Sequence, residues 1–218
     1  MSPKPLLVID GSGSTVFAGV LDQNDRWLAQ VQREGAPLED LFPTIESALQ
    51  EAGTHLNEIS AYLYCEGPGS VLGLRLCAMA IETWIRLYPE TAKLYKYNSL
   101  QLCALALLHD SPDLQEALLV SDWKKGAWNA LTIENGKPIS IDVIDDTELV
   151  SWKGPLYHLP QRKGWQSLPP GAQTIEYSPA RIAEVCQHPM FLQATKGVQL
   201  YSSCINTFQK WTPTRHRA

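Results

Sequence analysis

Ala61-Tyr62-Leu63-Tyr64-Cys65-Glu66-Gly67-Pro68-Gly69-Ser70-Val71-Leu72-Gly73-Leu74-Arg75 is the stretch whose reading decides the fold. Its first half is short and rich in aromatic and aliphatic residues, as buried strands are. Gly67 and Gly69 permit backbone angles closed to other residues, and Pro68 fixes one of its own. Ser70 suits an N-cap, because its hydroxyl accepts a free first-turn N–H. The pattern predicts a strand, a tight turn and a long helix. Glycines at a helix N-terminus also let an anion approach the free amides. A bare strand-to-helix connection is the commoner use of so short a motif.

The helix predicted over 71–88 carries Arg75, Glu82 and Arg86 in one narrow polar stripe. Leu72, Leu74, Leu76, Cys77, Met79, Ile81, Trp84, Ile85 and Leu87 make nearly all of its other surface apolar. A helix of this kind is buried on almost all sides. One face covers a sheet, and the other must meet a second helix or another protein.

Upstream, 6–10 is an apolar run ending in Asp10, as in strands covered on both faces. Turns at 11–14 and 22–25 join it to strands over 15–21 and 27–32, an antiparallel meander. Leu38, Leu41, Phe42, Ile45, Ala48, Leu49 and Ala52 then recur at helical spacing, and Gly53 closes that helix. Pro43 is awkward inside it and argues for a start later than Leu38. A strand over 93–97 and a helix over 99–108, capped by Ser99, complete a β-β-β-α-β-α-β-α order. That order predicts a mixed sheet with helices packed on it.

A polar break at 109–113 opens a second unit. Strands over 117–121, 127–133 and 138–144 form another meander, a weak repetition of the first. The segment 152–170 reads as loop with a strand or two. A helix follows from Ser178 or Pro179 to about His188, and 198–201 is a candidate last strand. The expected organisation is an N-terminal lobe over 1–109 and a smaller C-terminal lobe over 110–218.

The chain has 218 residues, a net charge of −5 and a sequence pI near 5.5, so no strong overall field attracts nucleic acid. Lys210, Arg215, His216 and Arg217 are a modest basic tail, of a kind usually just solvated. Five cysteines, an odd number without a Cys-x-x-Cys pair, sit mostly in apolar segments and read as buried free thiols in a reducing compartment. The short N-terminal apolar run is too short for a signal peptide or a membrane span. The expected location is the cytoplasm.

Little catalytic chemistry stands out. Asp10 before a small-residue turn is one potential cation or phosphate site, with an Asx turn as the local alternative. His55, His109, His158, His188 and His216 show no helix-borne zinc spacing, and no Gly-x-Ser-x-Gly elbow is present. Asp110, Asp113, Asp145 and Asp146 read as solvated turn carboxylates, and the Trp and Tyr residues as core.

Gly67-Pro68-Gly69-Ser70-x-x-Gly73-Leu74-Arg75, behind 6–10 with its hairpin and the first amphipathic helix, resembles the YeaZ/TsaB family. The family's usual motif is Gly-Pro-Gly-Ser-Phe-Thr-Gly-Leu/Val-Arg. The run 117–122 with Gly126 resembles the start of that family's second lobe, and 198–201 its last strand. The resemblance runs in order through roughly the first 135 residues. Val71 and Leu72 depart from the motif, as do Pro37 before the first helix and the Gly-Ser-Gly-Ser turn after Asp10.

The resemblance implies an α/β, two-lobed actin-like and Hsp70-like fold (the ribonuclease H-like, ASKHA class) with mixed sheets flanked by helices. It implies a non-catalytic scaffold or activator subunit of the complex that forms N6-threonylcarbamoyladenosine in tRNA, not an enzyme by itself. Its partners would be a catalytic, metal-binding transferase subunit of the same fold and an ATPase subunit. Alone it would form a homodimer through the same helices, and it would meet tRNA only indirectly and no membrane. The expected partner-facing residues are Leu41, Ile45 and Leu49 on the first helix, with Leu72, Leu76, Met79, Ala80, Thr83 and Trp84 on the second. Asp10, Ser12, Gly67, Gly69, Ser70 and Arg75 are the candidate nucleotide or anion set. No cofactor is required, and weak ATP or ADP with Mg²⁺ at a subunit interface is the one use left open. No metal site and no catalytic residue are expected. The alternatives are an ATP/Mg-dependent small-molecule kinase or ATPase of the same fold and, behind it, a glycoprotease-like peptidase.

Overall fold

The computed structural model describes residues 5–88, 93–160 and 167–201. Its first sheet is built from β1 (Leu6–Asp10), β2 (Thr15–Leu21), β3 (Trp27–Glu34), β4 (Ala61–Gly67) and β5 (Lys93–Asn98). A late strand, β11 (Gln193–Thr195), completes six strands in the order β11-β5-β4-β1-β2-β3. β1 pairs antiparallel with β2 and parallel with β4, and β4 pairs parallel with β5. The expected mixed sheet is present.

Alternation along the strands divides the core. Leu7, Ile9, Tyr62 and Tyr64 point to one face, where α1 (Pro37–Glu51) and α2 (Val71–Leu87) cover them. Val8, Phe17, Leu63 and Cys65 point to the other, against Leu102 and Leu105 of α3 (Ser99–Asp110) and Ile182 and Val185 of α5 (Ile182–Val185).

The second sheet contains β6 (Glu116–Lys124), β7 (Ala127–Glu134), β8 (Lys137–Asp145), β9 (Leu156–Leu159) and β10 (Gln173–Thr174), in the order β10-β9-β6-β7-β8. The repetition glimpsed in sequence is structural. As β1 pairs with β2 and the later parallel strand β4, so β6 pairs with β7 and the later parallel strand β9. The helix between β8 and β9, α4 (Asp146–Ser151), takes the place of α1 in this second copy. It is absent from the sequence expectation, although Asp145 and Glu148 form a capping box on it.

α3 sits between the sheets. Every residue from Ser99 to Ala106 is buried. Leu102 and Leu105 face the first sheet, while Leu100, Cys103 and Ala104 meet Leu119, Leu131 and Ile133 of the second. The helix enclosed on all sides is therefore α3, whereas α2 keeps an open face. Asn98, not Ser99, caps α3: its Oδ1 accepts from the amides of Leu100 at 3.0 Å and Gln101 at 3.4 Å. Ser99 donates its hydroxyl to the Pro68 carbonyl at 2.6 Å instead, tying α3 to the Gly-Pro-Gly-Ser turn.

Further boundaries differ from expectation. α1 begins at Pro37, ahead of Leu38, because proline at the first helical position loses no needed hydrogen bond. Pro43 is accommodated inside it, and the Thr44 hydroxyl donates to the Asp40 carbonyl at 2.6 Å. Gly53, at φ +64°, ends the helix, with Thr54 N–H on the Leu49 carbonyl and Gly53 N–H on that of Gln50. The expected helix to His188 is a 3-10 turn, Pro179–Arg181, followed by the one-turn α5. Residues 198–201 are not a strand; β11 takes that place at the sheet edge. Residues 180–200, expected in the second lobe, pack on the first sheet through Ile182, Val185, Phe191 and Leu200. Asp110 is the last residue of α3 and holds Arg181 through two bonds of 2.6 and 2.7 Å, so it is no idle turn carboxylate. The basic tail, including His216, and Cys204 lie outside the described residues.

Candidate functional site

The turn after β1 and the turn after β4 grip each other. Ser70 donates its amide to the Ser12 carbonyl at 2.7 Å and caps α2 by accepting from Gly73 N–H at 3.4 Å. A Cβ at Gly69 would stand 2.6 Å from the Ser12 Cβ, and one at Gly73 only 1.8 Å from the Gly11 oxygen. The glycines of the motif are thus spent on backbone-to-backbone packing. The space a phosphate would need beside them holds residues 11–12. Gly67 turns the chain at φ +116°.

Asp10 is buried at the centre of this junction. Ser12 N–H donates to its Oδ1 at 2.6 Å, the expected Asx turn. Its Oδ2 accepts from the hydroxyls of Tyr97, at the end of β5, and Tyr177, between β10 and the 3-10 turn. The Ser12 hydroxyl donates in turn to the Tyr177 oxygen at 3.1 Å. Burial first, and the Asp10 charge second, push both tyrosine hydroxyls well above the ordinary phenol range. They therefore stay protonated and able to donate at neutral pH.

The predicted set Asp10, Ser12, Gly67, Gly69 and Ser70 comes together, while Arg75 stands exposed on α2, one turn and more beyond it. A Mg²⁺ ion needs oxygen ligands at about 2.0–2.1 Å. Asp10 Oδ2 already accepts two hydroxyls and Oδ1 one amide, and the side chain is buried, so it presents no exposed oxygen pair to a Mg²⁺–nucleotide and the arrangement does not fit one. Tyr97 and Tyr177 were invisible to sequence reasoning. They lie 87 and 167 positions from Asp10, and no local pattern links them.

A second buried polar group lies on the second sheet. His158 Nε2 and Asp122 Oδ1 are 3.0 Å apart, with the imidazole edge-on to Trp128. Both side chains are only 5% exposed, which makes the pair a support inside the sheet. Among the described residues no group of three or more His, Cys, Asp or Glu could hold a metal ion. Cys65, Cys77, Cys103 and Cys186 are free and buried; burial pushes the thiols of Cys103 and Cys186 up to about 12, far from a reactive thiolate.

The other candidate is the outer face of α1 and α2. Leu38 and Phe42 on α1 are 68% and 51% exposed, and Leu72 and Met79 on α2 are 49% and 64% exposed. Thr83 is exposed beside them, and Leu76 and Leu49 are half-buried. Leu72, Leu76, Met79 and Thr83 follow helical spacing down one side of α2. Leu41, Ile45, Ala80 and Trp84, expected on this face, belong instead to the core beneath it. Trp84 packs on Tyr62 with ring centroids 5.5 Å apart. The partner-facing expectation is corrected accordingly: the helices share one core, and a narrower stripe remains outside.

Among the described residues, no helix is long and apolar enough to cross a membrane. The architecture, with two meander-based sheets around a central helix, is the two-lobed α/β fold of the actin-like class. The chain resembles the YeaZ/TsaB family within that class. It superposes on YeaZ from Pseudomonas aeruginosa with a TM-score of 0.60 at 17% identity, over 81% of this chain and 86% of that one. A second Pseudomonas aeruginosa protein, described as similar to peptidase YeaZ, gives a TM-score of 0.65 at 15% identity, over 92% and 99%. Residues 36–122 match the family TsaD, tRNA N6-adenosine threonylcarbamoyltransferase. That segment runs from the start of α1 to Asp122 and includes the Gly-Pro-Gly-Ser turn and α2. No curated protein matches the chain.

Proposed function

We propose that this chain is a non-catalytic scaffold subunit of the machinery that forms N6-threonylcarbamoyladenosine in tRNA. It docks on a metal-binding transferase subunit of its own fold, alongside an ATPase subunit, and pairs with itself through the same face when alone. It meets tRNA only through the complex, in the cytoplasm.

The observation that carries this reading is a set of exposed apolar side chains on two packed helices, Leu72 and Met79 two turns apart on α2 and Leu38 and Phe42 one turn apart on α1. Large apolar side chains exposed together in this way mark protein contacts. The match of residues 36–122 to the TsaD family and the YeaZ-like fold supply the kind of partner. The kinase or ATPase reading loses support because both Asp10 oxygens are engaged by Ser12, Tyr97 and Tyr177.

The test is to mix the full chain with the TsaD-type catalytic subunit of the same genome and follow the pair by size-exclusion chromatography. A stable complex is expected, and Met79→Glu should abolish it while leaving the chain folded. Co-elution unchanged by Met79→Glu and by Leu72→Glu, in variants that remain folded, sinks the reading.

A further inference from the structure

The Asp10 carboxylate at the end of β1 is enclosed by donors from remote parts of the chain, and one of them comes from the segment that links the second sheet to the first. Tyr177 follows β10, a strand of the second sheet, by three positions. Two residues later the chain enters the 3-10 turn whose Ala180 carbonyl accepts from Trp27 Nε1 at 2.8 Å, on the first lobe. The Tyr177 ring packs against both the α5-side core of the first sheet and the core shared by α3 and the second sheet. Its hydroxyl reaches Asp10, Ser12 and Tyr97 together. Beside it, the Gly13 backbone leaves so little room that a Cβ there would lie 3.2 Å from the Tyr177 ring.

We infer that Tyr177 is a built-in clasp, a side chain that binds Asp10 from the opposite lobe and holds the two lobes in one arrangement without nucleotide or cation. The chemistry is self-consistent. Asp10 is the acceptor, Tyr97 and Tyr177 are donors, and Ser12 both donates to Tyr177 and satisfies Asp10 with its amide. A buried carboxylate needs such partners, because left alone its desolvation is costly. A charge-assisted bond of this kind is stronger than a neutral one. The Arg181 fork on Asp110, four residues further on, fastens the same segment to the end of α3. The rigid fixed lobe arrangement suits a subunit that offers a preformed face, although the clasp stands or falls independently of which partner uses that face.

The test compares the full-length wild-type chain with Tyr177→Phe, which removes only the hydroxyl, and with Asp10→Asn. Native-state hydrogen exchange is expected to accelerate at least about tenfold in Tyr177→Phe at Ser12 and across 177–182, the loss of one charge-assisted bond. Exchange in β8, at the edge of the second sheet opposite β10, should stay unchanged. Calorimetry of the wild type with Mg–ADP and Mg–ATP is expected to give no binding heat. Unchanged exchange at Ser12 and 177–182 in Tyr177→Phe overturns the inference. So does nucleotide binding by the wild type that Asp10→Asn abolishes. Should Asp10→Asn fail to fold, Tyr177→Phe and the wild-type titration still decide.

Discussion

The α-carbon of Gly73 lies directly against the carbonyl of Gly11, so closely that a methyl group on Gly73 would stand 1.8 Å from that oxygen. The first turn of α2 is thereby locked onto the turn after β1. Gly73→Ala gains about 1 kcal/mol of helix propensity but meets backbone, which does not yield cheaply. Gly73→Ala should lose about 3 kcal/mol or more in urea unfolding. Gly197→Ala, with nothing within 4 Å of its added Cβ, should be near neutral. Equal stability of the two variants would refute the interlock.

Substitutions on α2 should separate by face. Met79→Glu lies on the open stripe and should change chain stability by no more than about 0.5 kcal/mol. Trp84→Ala removes a buried ring stacked beside Tyr62 and should cost about 3–5 kcal/mol. Thermal melts of the two variants check this, before any partner is added.

The His158–Asp122 pair should behave as a buried support. His158→Ala leaves Asp122 without its partner inside the sheet, and should destabilise by about 3–5 kcal/mol. In a double-mutant cycle, Asp122→Asn combined with His158→Ala should cost clearly less than the two single losses added together. Strict additivity would show that the two side chains do not interact.

Alkaline titration gives a signed prediction. Burial raises the Tyr62 hydroxyl from 10.0 to about 12, and Tyr97 and Tyr177 are raised as well. The folded chain therefore binds these protons more tightly than the unfolded chain. Their contribution is complete below the unfolded value of 10.0 and is lost as pH rises through the folded values. Stability measured by denaturant unfolding should be level up to pH 10.0 in this respect and fall between there and about 12. Ultraviolet titration should show these phenols ionising late, together with unfolding. Early ionisation of all tyrosines in the folded chain would contradict the buried network.

Capping of α3 offers a further check. Asn98→Ala removes the acceptor for two first-turn amides and should cost about 1 kcal/mol. Ser99→Ala should leave the helix capped but loosen the Pro68 turn, seen as faster hydrogen exchange at 69–70 with little change in melting temperature.

Much of the fold was legible along the chain. The runs at 6–10, 15–21 and 61–67 are apolar enough to read as buried strands, and the Ser70 cap and Gly53 stop act within a few residues of themselves. The Asp145–Glu148 capping box was equally local, but Asp145 and Asp146 read as turn carboxylates because a six-residue helix is too short to show an apolar period. α2 and α3 could not be told apart by composition, since both are strongly apolar. The difference is that α3 has a sheet on each side, a fact of topology.

Sequence by itself determined the class of the protein: two meanders, the first followed by a helix and a returning strand, with a Gly-Pro-Gly-Ser turn launching α2. Local backbone preference and the two-residue and 3.6-residue periods suffice for that. Tertiary structure alone decided what the candidate sites are. It set Gly69 and Gly73 against Ser12 and Gly11, which turned a phosphate-like motif into a packing joint. It sank Leu41, Ile45, Ala80 and Trp84 into the core and left Leu72 and Met79 outside. It also brought Tyr97 and Tyr177 onto Asp10 from remote parts of the chain, because a buried carboxylate must find donors wherever the fold provides them.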